Sequence, residues 1–288
     1  MNPLVSICIP TYNGEAYLNE ALNSAIAQTY TNLEIVISDD GSHDGTLKIV
    51  ESYKQKTNIP IRVYNHRSQG IGANWNNCVK QAKGDFIKFL FQDDVLHPEC
   101  VFRMVDMAQQ YPKVSMVYCR RSFLLEGNRE QYQDYMDYYG HLHHYWQDIK
   151  VRQGVLLGKA YLTDKAFLNS PKNKIGEPSC VLFKTSCFIK IGGFSEVLKQ
   201  TLDCEFWYRL MKLGDVGFID DALAKFRLHE QQASHLNKVQ GINETSLLYY
   251  HYYKHLFWQL HTKSRWKLLK LYHPVVKTLV GIKRFLNV

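Results

Sequence analysis

The chain has 288 residues, 45% hydrophobic and 22% charged, with 35 Lys and Arg against 27 Asp and Glu. These proportions exclude a disordered or low-complexity protein, and the length suffices for one large α/β domain with a substantial core. Seven cysteines, none in a C-x-x-C pair, exclude a zinc-finger spacing and a disulfide framework and suit a reducing compartment.

An apolar strand is expected from Leu4 to Ile9, punctuated by Pro10. It begins too early to leave room for a basic leader, so no secretory signal is expected. Thr11-Tyr12-Asn13-Gly14 reads as a turn with Asn13 as a helix cap, because Leu18, Leu22, Ala25 and Ile26 fall at helical spacing. Leu33 to Ser38 is a second strand, ending in Asp39-Asp40-Gly41-Ser42. Asp44 then caps a helix with Leu47, Val50 and Tyr53 on one side. Ile61 to Tyr64 is a third strand, and Asn74 to Ala82 a helix stopped near Gly84.

Phe86 to Phe91 is an apolar run of strand length that ends in Asp93-Asp94. A helix from Pro98 to Gln110 and a strand near Val114 to Tyr118 follow. Strand and helix alternate through this half of the chain, which implies a largely parallel sheet with helices on its faces. Residues 120–173 carry no clear period. A further helix runs from about Thr201 to Leu213. No stretch of about 18 apolar residues exists, so no membrane span is expected.

The positive charge is concentrated at the end. After Glu244 no acidic residue occurs, while Lys254, Lys263, Arg265, Lys267, Lys270, Lys277, Lys283 and Arg284 supply eight cations. The remainder balances, which argues against a nucleic-acid-binding face spread over the fold. This tail is interleaved with Tyr and Trp. It reads either as a basic, aromatic segment for an anionic membrane surface or as ordinary helices broken at Pro274 and packed on the domain.

Three polar clusters sit where a strand ends: Pro10-Thr11-Tyr12-Asn13, Asp39-Asp40 and Asp93-Asp94. In parallel sheets these ends share one edge, where ligands bind. Adjacent carboxylates there are costly unless neutralised, and a divalent ion carrying a phosphorylated ligand is a ready partner. Asp40 suits the imide N–H of a uracil-type base, with Tyr12 packing on the ring. No Walker-type loop is present, and Gly70-Ile71-Gly72 lacks the third glycine of a dinucleotide fingerprint because Trp75 occupies it.

On a helix, Asp203 shares a face with Phe206, Trp207 and Leu210, with Glu205 opposite. Asp203 is then either a helix-start residue or a general base aimed into the site. Phe226-Arg227-Leu228-His229-Glu230, with Ser234, offers Arg227 to a phosphate and His229 to a metal or diphosphate. His141, His143 and His144 lack i, i+4 ligand spacing and read as loop.

With these residues laid out, the chain resembles a family 2 glycosyltransferase of the GT-A fold over roughly residues 4–235. The resemblance rests on Ile9 to Asn13, Asp39 to Thr46, Ala82 to Ile87, Gln92-Asp93-Asp94 with Pro98, Gly192-Gly193-Phe194, Asp203 through Arg209, and Arg227-Leu228-His229. It implies an α/β fold with a Rossmann-like, mixed but largely parallel sheet and a helical, basic C-terminal segment. Residues 1–118 would bind nucleotide sugar, 119–240 would hold the acceptor and the base, and 241–288 would form the tail.

The resemblance further implies a nucleotide-diphospho-sugar donor, UDP-type by the nucleotide contacts, and a divalent metal, Mn or Mg. Asp203 would be the inverting base. Pro10, Thr11, Tyr12, Asp40, Asp93 and Arg227 would bind the nucleotide sugar, and Asp93, Asp94 and His229 the metal. Phe91 replaces the first acid of the usual D-x-D pattern, leaving open which of Asp93 and Asp94 is the ligand, and Leu202 replaces the glutamate before the base. Without a Q-x-x-R-W motif, single-sugar addition to a glycan or lipid-linked hydroxyl is expected, in surface polysaccharide or glycoconjugate synthesis, at the cytoplasmic side and peripheral to the membrane. The alternatives are a sugar nucleotidyltransferase and a non-catalytic nucleotide-sugar-binding protein on the same fold.

Overall fold

Strands β1 (Val5–Thr11) and β2 (Leu33–Asp39) are buried at every position, as parallel strands covered on both faces must be. In the computed structural model, which describes residues 2–232 and 241–285, they pair in parallel with Thr11 opposite Asp39. β3 (Ile61–Asn65) lies parallel to β2, and β4 (Phe86–Phe89) parallel to β1. Helices α1 (Leu18–Ile26), α2 (Thr46–Lys54) and α3 (Ile71–Gln81) make the connections. Of the residues singled out above, Ser234 lies outside the described residues, as do the side chains of Lys283 and Arg284.

The chain continues through β5 (Val95–Leu96), α4 (Cys100–Gln110), β6 (Val114–Leu125), α5 (Gln133–Tyr139), β7 (Gly154–Leu156) and α6 (Gly158–Leu162). Then come β8 (Val181–Lys184), α7 (Thr185–Ile191), α8 (Leu202–Leu210) and β9 (Asp215–Leu228). Among the described residues they build one nine-stranded sheet in the order β3-β2-β1-β4-β8-β6-β9-β5, with β7 beside β9. It is mixed: β8 runs antiparallel to β4 and β6, while β6 and β9 are parallel. This is the α/β architecture the sequence predicts. The expected boundary at 118/119, however, falls inside β6, so the sheet is shared across it.

Side chains alternate between two apolar layers. Ile7, Ile9, Ile35 and Ile37 join α1 and α4 on one face, while Cys8, Val36, Ile87 and Phe89 meet an aromatic layer of Trp75, Phe183, Phe194, Phe206 and Trp207 on the other. Helix α3 begins at Ile71, three residues earlier than its period suggests, because Gly70 takes φ 93° at its start. A Cβ on Gly72 would lie 2.4 Å from the Ser195 carbonyl oxygen, so this glycine allows α3 to close against the 192–196 turn. That contact, not a phosphate, explains the pair of glycines. Asn13 is not a helix cap; it takes φ 46° and its side-chain oxygen accepts from His43 N.

Helix α8 has no solvent face. All nine residues are buried, Glu205 and Arg209 included, so the face opposite Asp203 that carries Glu205 is covered as well. Arg209 makes two 2.8 Å bonds to the Glu205 carboxylate and donates to the carbonyls of Ile191, Gly192 and Gly193. His251 approaches Glu205 from the C-terminal segment at 3.7 Å. That segment comprises α9 (Thr245–His255), α10 (Thr262–Tyr272) and α11 (Pro274–Phe285). Leu248, Tyr252, Leu256 and Leu268 are buried in the aromatic layer, so the packed reading holds for α9 and half of α10. Trp258, Trp266, Val275 and Leu279 remain exposed, at 79%, 52%, 61% and 60%.

Candidate active site

The ends of β1 and β2 are laced together. The Thr11 hydroxyl donates to Asp39 at 2.7 Å, and Asp39 also accepts from the amide and hydroxyl of Ser42. Pro10 and Thr11 are buried within β1, so they shape the edge and do not offer side chains to a ligand, as was expected of them. Tyr12 differs: it is half exposed, and its amide and carbonyl are both bonded by the Gln92 side chain. That places the Tyr12 backbone beside the Asp93 turn.

Asp40 has a different task from the one expected. Its carboxylate accepts from Gln69 N at 2.8 Å, Gly70 N at 3.1 Å and Ser68 Oγ at 3.1 Å, with His66 Nδ1 at 3.4 Å. Three donors thus fill three of about four lone-pair sites on the carboxylate, and His66 Nδ1 itself contacts the Arg67 carbonyl at 3.1 Å. Asp40 therefore fixes the 66–70 loop at the edge of the site.

The two carboxylates after β4 are separated by environment. Asp94 is fully buried, with Oδ1 accepting from Arg227 N and Oδ2 without a partner. Burial, followed by the neighbouring charge of Asp93, holds its pKa well above the ordinary carboxylate value. Asp93 keeps an 18% exposed side chain, and its Oδ2 lies 3.2 Å from His229 Nε2. Asp93 and His229 thus lie at the edge of the site, and Asp94, with its unpartnered Oδ2, stands behind them.

Arg227 is likewise corrected. Its guanidinium donates to the Asp93 carbonyl, to Glu126 at 3.2 Å and to Glu20 at 2.8 Å, and it lies 4.7 Å from the Tyr17 ring centre. Three of its five N–H donors are taken by these acceptors and its side chain is 8% exposed, so little of it faces a phosphate. It anchors the Asp93-Asp94 turn instead. Tyr17 completes the layer, donating to Glu126 at 2.6 Å and packing on the His229 ring at 4.8 Å.

Asp93 Oδ2 and His229 Nε2 are separated by about the distance between adjacent ligands of an octahedral ion with bonds near 2.0–2.1 Å. His229 Nδ1 is buried without a hydrogen-bond partner. A carboxylate and an imidazole with the remaining positions open suit a divalent ion that shares a diphosphate. Asp93, Asp94 and His229 do not form a closed three-ligand cluster; among the described residues only His141, His143 and His144 do. Phe91, in place of the first acid, packs 4.9 Å from Trp75 in the aromatic layer.

Asp203 sits in the first turn of α8. Its Oδ1 accepts from Cys204 N at 2.6 Å and its Oδ2 from Asn173 Nδ2 at 2.7 Å. Burial raises its pKa to about 7, the Glu177 charge adds to this, and the two hydrogen bonds oppose it. Asn173 also accepts from the amides of Ile175 and Gly176, and Trp207 Nε1 donates to the Gly176 carbonyl. Three residues on, Ser179 Oγ accepts from Phe91 N at 3.0 Å, and the buried Lys88 ammonium donates to the Ser179 carbonyl. Segment 173–180 therefore ties the Asp203 helix to the Asp93 turn. Glu177, whose charge bears on both Asp94 and Asp203, is held at 2.7 Å by the buried Arg121.

The sequence reading did not single out Glu20, Tyr17, Glu126, Asn173, Glu177 or Ser179. The compact run Asn173-Lys174-Ile175-Gly176-Glu177-Pro178, dense in turn-forming residues ahead of a strand, was the available signal.

A mixed sheet of this order, with acidic strand ends at one edge and a buried carboxylate on a later helix, is the GT-A arrangement of glycosyltransferases. Residues 6–190 match the family model described as glycosyl transferase family 2, and the chain belongs to that family. An uncharacterized glycosyltransferase of Rickettsia typhi is 30% identical over 242 residues, 83% of this chain and 69% of that protein. A relative in Rickettsia felis is longer, and the aligned part is only 36% of it. Among solved structures, Staphylococcus aureus TarS 1–349 in complex with UDP-GlcNAc superposes with a TM-score of 0.60 at 21% identity, covering 86% of this chain and 66% of that one. Mannosyltransferase PcManGT from Pyrobaculum calidifontis, in complex with GDP-Man and Mn2+, gives 0.61 at 16% identity, covering 99% and 81%. These two likenesses establish the fold. No helix among the described residues is long and apolar enough to cross a membrane.

Proposed function

We propose that this glycosyltransferase moves one sugar, with inversion, from a nucleotide-diphospho-sugar to a hydroxyl of a glycan or lipid-linked acceptor. The reading is carried by segment 173–180, which bonds Asp203 at one end and the Asp93 turn at the other. Asp203 takes the proton of the acceptor hydroxyl as that oxygen attacks the anomeric carbon. The bond from that carbon to the diphosphate oxygen breaks on the opposite face. Asn173 and Cys204 N hold the carboxylate in position, and both bonds favour its charged form.

Asp93 and His229 are the residues proposed to hold a divalent cation, Mn2+ or Mg2+. When bound there, the ion neutralises charge on the departing nucleoside diphosphate. Tyr12, with the 66–70 loop that Asp40 fixes, would flank the nucleobase. Asp94 and Arg227 act behind them as positioning residues. A UDP-type donor and a surface-polymer acceptor are supported by TarS, named as a poly(ribitol-phosphate) β-N-acetylglucosaminyltransferase and 42% identical over 96 residues, 33% of this chain and 17% of that protein.

Incubation with a panel of nucleotide sugars, Mn2+ and acceptors should release nucleoside diphosphate. Formation of pyrophosphate from a nucleoside triphosphate, or binding without release, would overturn the reading. With Asp203 titrating near pH 7, kcat/KM should rise with pH to half its maximum near there. Below that point it should fall about tenfold per unit as the base becomes protonated. A flat profile between pH 5 and 8 would show that the base titrates like an ordinary carboxylate near about 4, which is fully ionised over that range, and would overturn the raised value at Asp203.

The exposed Trp258 and Trp266, interleaved with cationic side chains, support placement at an anionic, cytoplasmic membrane face. Because α9 is buried in the core, charge reversal is a cleaner test than deletion. Lys263→Glu, Lys270→Glu and Lys277→Glu together should release the protein from phosphatidylserine vesicles in a sedimentation assay. Unchanged sedimentation would exclude this surface.

A further inference from the structure

A second cluster lies outside the donor site. After α5 the chain makes a tight turn in which His144 N donates to the His141 carbonyl at 3.0 Å and Tyr145 N to that of Leu142 at 3.2 Å. Buried Leu142 and Trp146 anchor it. The turn gathers His141, His143 and His144, and one ring nitrogen from each lies within 4.8 Å of the other two. The His143 and His144 ring centres are 4.2 Å apart, and those of His141 and His144 are stacked at 5.3 Å. No hydrogen bond joins any of the three rings to another described residue.

We propose that His141, His143 and His144 form a site for a borderline divalent cation such as Zn2+, with water as the fourth ligand. The chemistry of the donor set selects the ion: three imidazoles suit Zn2+, Cu2+ or Ni2+, whereas a diphosphate site built on a carboxylate suits Mn2+ or Mg2+. Tetrahedral zinc with bonds near 2.0–2.1 Å needs its ligand nitrogens about 3.3 Å apart. The rings of His141 and His144 are exposed and free to turn by the remaining ångström or so, on a backbone already fixed.

The third ring is set differently. His143 is buried within the turn, at 8% exposure. It also packs 4.9 Å from Phe218 of β9. An ion here would pin the turn to the sheet. The last carbonyl of α5, that of Tyr139, accepts from Arg121 at 3.1 Å, and Arg121 in turn holds Glu177. The clamp would therefore steady the acceptor side of the cleft without contacting donor phosphates.

The test is Zn2+ titration of tag-free protein in competition with a chromophoric chelator, together with the visible spectrum of the Co2+ form. One equivalent should bind, with the intense bands of tetrahedral cobalt. His141→Ala/His144→Ala should weaken binding by more than about tenfold, since even changes behind the ligands of a metal site cost about 10–100-fold. Asp93→Asn should leave this equivalent intact, which separates it from any metal at the donor site. Both altered positions are exposed, and an unchanged far-UV spectrum verifies folding. Wild-type-like Zn2+ binding in the double variant, or no uptake by the native protein, would overturn the proposal.

Discussion

Asp203→Asn should lower turnover by about 10²–10⁴-fold, the contribution of a positioned general base, while donor affinity stays within a factor of about two. The amide retains an oxygen for the Cys204 N–H, so the start of α8 is preserved. What disappears is the lone pair that accepts the acceptor's proton. Single-turnover assays with saturating donor, paired with calorimetric titration of donor in the absence of acceptor, separate the two quantities. Near-normal turnover in this variant would mean that another group takes the proton, and Glu177, held beside it by Arg121, would be the next to change.

The second large effect is expected at Asp93. Asp93→Asn removes the charge that His229 Nε2 faces at 3.2 Å and the one carboxylate of the turn that retains contact with the cleft. Metal-dependent donor affinity should fall by about tenfold to a hundredfold, whereas donor affinity in excess chelator should not change. His229→Asn should reproduce the effect in weaker form. Asp94→Asn should act through stability instead, because its side chain is buried against the backbone of Arg227. If Asp93→Asn and wild type respond identically to Mn2+, the metal does not meet this pair.

The sheet was readable because its strands are short apolar runs that end in polar turns. Leu33–Asp39 differs from its expected extent by a single residue. The helix carrying Asp203 was equally legible from the spacing of Phe206, Trp207 and Leu210. That Asp93 and Tyr12 follow strands and that Asp203 opens a helix was legible because position relative to a strand or helix end is local information. The errors arose where a side chain's partner is remote. Arg227 looked like a phosphate ligand until Glu20, more than two hundred residues away, was seen to claim it. Asp40 looked free until the 66–70 loop folded back onto it. His141, His143 and His144 lie in a turn, as their spacing implies, and the approach of their rings to one another is visible only in three dimensions.

The cover that α9 lays over α8 bears on how this family can be cut and recombined. The matched family region ends at residue 190, before Asp203, and the helix bearing that residue is sealed by Tyr252 against Cys204 and by His251 against Glu205. A chimera joined at the end of the matched region would keep α8 and α9 from one parent but separate Asp203 from Asn173, which donates to it at 2.7 Å. A junction ahead of Asn173, with everything from there through Leu268 carried as one inheritance, keeps both that bond and the cover over α8.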